Sequence, residues 1–245
     1  MTYCVGVLVK EGLAMLADTR TNAGVDNVST YRKLRIFGDD GQRLFAVASA
    51  GSLSTTQTAL ERASLGILAP DTDETESMLT APSIHRVAYL LGQAIRFTRN
   101  EMEGLKQEDV NFDATLLVGG SVGGEKTRLF LVYSAGNFIE CGEDTPYLQI
   151  GETKYGKPIL DRALTYETEL DEAVKIALIS FSSTMRSNLA VGLPIDLVKM
   201  RDGQSKADLV YRIKEHDAYY HDLNNRWSQA LRAAQASIPR PPYPI

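Results

Sequence analysis

Two near-continuous apolar runs, Tyr3–Lys10 and Leu13–Asp18, begin almost at the N-terminus and are separated only by Glu11-Gly12. They read as two buried strands joined by a tight turn. A terminus tied to a buried strand from Val5 to Val9 is kept from fraying, so the residue that precedes the strand is held in place. That residue is Thr2. A small second residue is common in cytosolic chains and says little alone. Once an aminopeptidase removes Met1, however, Thr2 carries both a hydroxyl nucleophile and a free α-amine. A reference α-amine titrates near ~7.7–8.0 and accepts a proton at neutral pH without help from a histidine. This is the N-terminal threonine form of the nucleophile–base pair.

The rest of the chain follows in alternating blocks. Thr19–Asn27 is polar and reads as a loop. Lys33–Phe37 reads as a short strand with Lys33 and Arg35 on one face. Gly38-Asp39-Asp40-Gly41-Gln42 is a turn, and Leu44–Ala50 is an apolar strand ended by Gly51. Thr55–Ile67 has helical composition, and Asp71–Glu76 reads as a solvated loop. Ser83 is placed to cap a helix in which Ile84, Val87, Ala88, Leu91, Ala94, Ile95 and Thr98 form a core-facing stripe. Phe112–Val118 and Arg128–Tyr133 flank a glycine-rich turn, a further hairpin runs to Ile139, and Tyr147–Gly151 is a short strand. A second helical stripe follows at Leu170, Ala173, Val174, Ala177, Leu178 and Phe181, with Asp171 and Glu172 where the helix dipole favours negative charge. Ile195–Met200 and Leu209–Lys214 form a hairpin around Asp202-Gly203. Asp222–Ala236 is helical, and Pro239–Pro244 is extended. Strands, two helices, strands, two helices, strands and a helix suit an α+β arrangement with helices outside sheets. With no internal repeat or linker, residues 1–245 read as one domain with a Pro-rich tail at about 238–245.

Several function classes fall away on composition. The formal net charge is −5, so nucleic acid is not expected as a partner. Cys4 and Cys141 form no CxxC and are too few for a disulfide framework, which points to a reduced, cytoplasmic setting. No apolar run approaches ~18–20 residues, so no membrane span is expected, and no signal peptide opens the chain. His85, His216 and His221 lie on separate elements without metal-ligand spacing, so neither metal nor cofactor is expected. Gly119–Thr127 nearly spells a phosphate-binding loop. Glu125, however, takes the lysine position, and a strand follows where a helix is needed, so the segment reads as a hairpin turn.

The opening Met1–Val9, the segment Leu13–Gly24 with Asp18, Thr21 and Asn22, and Arg32-Lys33-Leu34 resemble the proteasome β-subunits and their bacterial relative HslV. The bacterial ancestral β-subunit family called Anbu is similar as far as Gly51 and, more loosely, through the chain to its Pro-rich end. The resemblance implies the four-layer αββα sandwich of the N-terminal-nucleophile (Ntn) hydrolases. It implies Thr2 as nucleophile and Lys33 as a fixed positive charge or proton relay beside it. Asp18 would compensate and orient Lys33, and the Gly51 N–H would serve as oxyanion donor. Lys33-Leu34 matches the motif better than Arg32. Thr21, Asn22, Gly51 and Leu53 match cleft-lining positions. Tyr31 and Arg35 would border the pocket for the residue before the cut, where a basic wall favours acidic or hydrogen-bonding side chains.

The accessory positions depart from the family. In Arg186-Ser187-Asn188-Leu189-Ala190-Val191-Gly192, Ser187 stands where β-subunits carry an Asp, and Ala190 where they carry a Ser. The segment nearest to the family's G-S-G is Gly151-Glu152-Thr153. The expected function is therefore an N-terminal threonine peptidase, active after Met1 removal, within a homo-oligomer that forms a ring or an open helical assembly. A narrow small-molecule amidase or transpeptidase and a largely inactive structural or binding ring subunit are the alternatives. No docking feature for an unfolding ATPase is legible, which leaves such a partner open.

Overall fold

The computed structural model describes residues 2–22, 28–38, 40–103 and 111–243. In chain order the elements are β1 (Tyr3–Val9), β2 (Gly12–Asp18), β3 (Arg20–Asn22), β4 (Val28–Thr30), β5 (Leu34–Gly38), β6 (Arg43–Gly51) and α1 (Leu53–Leu65). They continue as β7 (Ile67–Ala69), β8 (Glu74–Glu76), α2 (Ile84–Glu103), β9 (Ala114–Val122), β10 (Arg128–Val132), β11 (Phe138–Glu140) and β12 (Tyr147–Gly151). The last are α3 (Lys157–Ala163), α4 (Leu170–Ser187), β13 (Ile195–Arg201), β14 (Leu209–Ile213) and α5 (Ala218–Ser237).

Two five-stranded sheets carry the architecture, one ordered β12-β1-β2-β13-β14 and the other β11-β10-β9-β6-β5, and every pairing within them is antiparallel. The alternation of side chains explains why β1 and β2 are apolar throughout. On one face Tyr3, Val5, Val7, Ala14 and Leu16 pack against Leu170, Ala173, Ala177 and Phe181 of α4. On the other, Cys4, Leu13, Met15 and Ala17 meet Leu44, Ala46, Leu117 and Leu129 of the second sheet. The second sheet turns Phe45, Val47, Leu116 and Phe130 outward, onto Leu60 of α1 and Val87, Leu91 and Ile95 of α2. Helices, sheet, sheet and helices thus stack as an αββα sandwich. Each fully buried Leu, Val or Phe side chain contributes on the order of 1.5–3 kcal/mol from removal of its apolar surface from water.

The capping expected at Ser83 is present, as its Oγ accepts from Arg86 N at 3.1 Å. Glu125 serves the same helix, accepting from Ile84 N at 2.6 Å, and so the glycine-rich segment is a β9–β10 hairpin turn with a structural carboxylate. Several boundaries differ from the sequence reading. Thr19–Asn27 is not all loop: β3 pairs with β4, while 23–27 lie outside the described residues. Asp71–Glu76 includes β8, paired to β7, and Ile67 belongs to β7, not to the helix before it. β9 runs on to Val122, and α5 begins at Ala218 because the Asp217 carboxylate caps it through Tyr220 N at 2.8 Å. The tail from Pro239 to Tyr243 is exposed, and Pro244 lies outside the described residues.

Candidate active site

Thr2 leads directly into β1 and is fixed on both sides. Its carbonyl accepts from Glu152 N at 2.6 Å. This requires Gly151, whose φ is +83° and whose position for a Cβ lies 2.1 Å from the Thr2 oxygen. A side chain there would collide with the backbone it supports. The following residue, Tyr3, donates its N–H to Asp18 Oδ1 at 3.0 Å. Its ring packs on Phe181 with centroids 4.5 Å apart, and its hydroxyl meets Ser180 Oγ at 2.9 Å and Gln149 Nε2 at 2.7 Å.

The end of β2 places Asp18 in the interior, with no solvent exposure. The same Oδ1 accepts from Lys33 Nζ at 2.8 Å, and Lys33 also donates to the Arg20 carbonyl at 2.5 Å. Burial pushes the Asp18 carboxyl above the usual carboxylate range, opposed by Lys33 and by the N–H groups of Tyr3 and Gly192. Lys33 lies just before β5 and is 3% exposed, whereas Arg32 is exposed and reaches Asp196 at 3.8 Å. The neighbouring arginine therefore does not take the lysine's place. Arg20 adds a further tie: it donates to the Leu189 carbonyl at 2.8 Å, and its guanidinium lies so close to Gly192 that a Cβ there would come within 2.3 Å of Cζ.

A cleft of about 110 Å³ is lined by Thr2, Thr21, Lys33, Ser49, Ala50, Gly51 and Leu53. Gly51 ends β6 with φ +101°, and a Cβ would lie 2.2 Å from the Asp113 oxygen. The strand-to-helix turn therefore demands glycine, while Ser52 caps α1 through Thr55 N. Thr21 bonds Ser29 through its hydroxyl at 2.8 Å, which fixes the ribbon at the cleft wall. Asn22 is the last residue of β3 and pairs in register with Val28. Tyr31 and Arg35 do not line this cleft. Arg35 donates to the Tyr31 hydroxyl at 2.7 Å, and Gln57 donates to the same oxygen at 3.0 Å. Arg35 instead lines a separate cavity of about 570 Å³ between the edge strands β5 and β14, where Arg212 holds Asp196 in a two-point pair at 2.6 and 2.8 Å.

Ser187 is exposed at the end of α4 and does not line the cleft. The inward residue is its neighbour Asn188, which is 9% exposed and donates to Glu152 Oε2 at 3.1 Å. Glu152 is 8% exposed, and its Oε1 accepts from Lys154 N at 2.9 Å. Sequence reading passed over this pair. The available signal was that both residues sit in the two segments where the chain departs from the β-subunit pattern. Among the described residues, no cluster of His, Cys, Asp and Glu could hold a metal ion, and no helix is long and apolar enough to cross a membrane.

A sandwich of this topology, with a threonine at the mouth of its first strand and a buried Asp–Lys pair behind it, has the layout of an Ntn hydrolase. The chain belongs to the proteasome subunit family, whose model matches residues 2–200. It is similar to proteasome subunit beta 2 of Pyrobaculum calidifontis, with 30% identity over 79% of this chain and 86% of the relative. Its structure is similar to that of Anbu (ancestral beta-subunit) from Yersinia bercovieri, with TM-score 0.89 and 42% identity, over 99% of this chain and 100% of that one. It is also similar to the Anbu of the helical assembly from Pseudomonas aeruginosa, with TM-score 0.87 and 39% identity, over 98% of each chain.

Proposed function

We propose that this protein is an N-terminal threonine peptidase that cleaves amide bonds through an ester on Thr2. The observation that carries the reading is the convergence of Thr2, Lys33 and Gly51 on one cleft, with Lys33 held by a fully buried Asp18. Removal of Met1 frees the Thr2 amine. That amine takes the hydroxyl proton as Oγ attacks the substrate carbonyl, and Lys33 stabilises the alkoxide-like oxygen by its charge. The Gly51 N–H faces the developing oxyanion. The amine passes the proton to the leaving nitrogen, and water hydrolyses the ester by the same route in reverse. Thr21, Asn22 and Leu53 flank the substrate backbone. Tyr31 and Arg35, which stand outside the cleft, are left without a direct part in choosing the side chain before the cut. Ser187 is left as an accessory position without a direct part in the chemistry.

The site works within a homo-oligomer in the cytoplasm, as a ring or an open helical array; the related Pseudomonas aeruginosa Anbu is described as a helical assembly. Residues 1–245 act as one Ntn-hydrolase domain with a Pro-rich tail from about 238. A second reading, a narrow amidase or transpeptidase, is favoured by the cleft volume of about 110 Å³, against roughly 300–1,000 Å³ for ordinary ligand pockets. On the peptidase reading a neighbouring copy enlarges the cleft. Steady-state assays on an unstructured protein and on small amides, with Thr2→Ala as control, separate the two. Cleavage of the protein supports the peptidase, cleavage of small amides alone supports the amidase, and no turnover of either favours the structural ring subunit.

A further inference from the structure

We infer that Glu152 is the counter-charge of the Thr2 α-amine, an inference that rests on the N-terminal threonine reading above. Glu152 is a carboxylate more than nine-tenths buried, and among the described residues its oxygens accept from neutral donors, Asn188 Nδ2 at 3.1 Å and Lys154 N at 2.9 Å. No Lys, Arg or His pairs with it among the described residues. Buried charges in proteins are ordinarily paired, because desolvation of a lone ion is costly. Asp18, the other buried carboxylate of this site, has its lysine.

The cation that Glu152 lacks is the one that processing creates. Before Met1 is removed, the Thr2 nitrogen is an amide and carries no charge. Hydrolysis of the Met1–Thr2 bond turns it into an amine that protonates near neutral pH. That amine belongs to the residue whose carbonyl is bound by the Glu152 N–H at 2.6 Å, so the charge arises on the residue that Glu152 holds through the backbone. Asn188 keeps the carboxylate in place, since its own Oδ1 accepts from Ala190 N at 3.0 Å and its backbone N–H bonds the Thr184 carbonyl at 2.8 Å.

The consequence is a balance of two charges on one base. Lys33 favours the neutral amine and Glu152 favours the ammonium, so together they poise the amine between its proton-accepting and proton-donating states. The arrangement also relocates the accessory carboxylate. Where β-subunits carry an Asp at the position of Ser187, this chain uses Glu152 from the β12–α3 connection, oriented by the residue next to Ser187.

The test uses the Thr2→Ala chain, which keeps the α-amine, with and without Glu152→Gln. The amine pKa is read from the pH dependence of acetylation of the N-terminal peptide by acetic anhydride, followed by mass spectrometry. Glu152→Gln is expected to lower the pKa by about one unit or more. Because Gln presents a second amide to Asn188, a fallback replaces the pair by Glu152→Met with Asn188→Leu, which removes both partners of the side-chain hydrogen bond together, releases only the Lys154 and Ala190 backbone N–H groups, and is expected to lower the pKa likewise. An unchanged pKa in either folded variant overturns the inference and leaves the hydrolase reading standing. Met1 found on the peptide overturns both.

Discussion

Lys33 Nζ stands 2.8 Å from Asp18 Oδ1, with the carboxylate wholly buried and the lysine 3% exposed. The pair is held on both sides, by Tyr3 N–H on the carboxylate and by the Arg20 carbonyl on the ammonium. Asp18→Asn leaves a buried ammonium without its counter-ion, and is expected to destabilise the fold by about 3–5 kcal/mol as well as to abolish turnover. Asp18→Asn combined with Lys33→Met is expected to recover most of the stability and none of the activity. Urea unfolding and steady-state rates on the wild type and the two variants check this.

Gly51→Ala is expected to lower kcat by about 10²-fold or more, the range seen when one oxyanion donor is displaced. The added methyl would lie 2.2 Å from the Asp113 oxygen at a φ of +101°, so the turn must shift. KM should change less than kcat, since the donor matters most in the transition state. Equal rates in the variant and the wild type would remove Gly51 from the mechanism.

Arg35 opens into the β5–β14 cavity and not into the cleft. Arg35→Leu is therefore expected to leave kcat/KM at its wild-type value on peptides with an acidic residue before the cut and on apolar peptides alike. Steady-state rates on both peptide classes check this. A loss of roughly tenfold on acidic peptides alone, about the worth of one charged hydrogen bond, would return Arg35 to the pocket for the residue before the cut.

Away from the cleft, Arg86 ties the β7–β8 ribbon to α2 through Asp71 and Glu76. The Arg86 hydrogen bonds hold both carboxyls below their ordinary values. A depressed folded-state pKa contributes stability above the unfolded-state pKa and loses it as pH falls through the folded-state value. The thermal stability of the wild type should therefore exceed that of Arg86→Gln at neutral pH, and the gap should close below about pH 4, under the ordinary carboxylate range. A gap that persists unchanged in acid would show that Arg86 acts by packing alone.

The parts of the fold visible in the sequence are those written in apolar periodicity. The stripe from Ile84 to Thr98 on α2, the stripe from Leu170 to Phe181 on α4 and the runs of β1 and β2 all mark faces that must leave water. The two short ribbons were not visible for the same reason: β3, β4 and β8 are polar strands that leave no apolar alternation to read. At the site, Thr2, Asp18, Lys33 and Gly51 could be named because their spacing is that of a known family. Glu152 and Asn188 meet across 36 residues, from just beyond β12 and just beyond α4, and only the folded chain joins them and ties Glu152 to the Thr2 carbonyl. Arg35 illustrates the opposite limit, since its place in the chain said nothing of the separate cavity into which it opens.

Everything proposed for the cleft depends on a free amine at Thr2. The most direct measurement is the intact mass of the purified protein, before and after exposure to a β-lactone that acylates active hydroxyls. The expected result is a chain lacking Met1 that gains one acyl group, mapped to Thr2 and absent in Thr2→Ala. A chain that retains Met1, expressed in a host that trims Met before Thr, would contradict it.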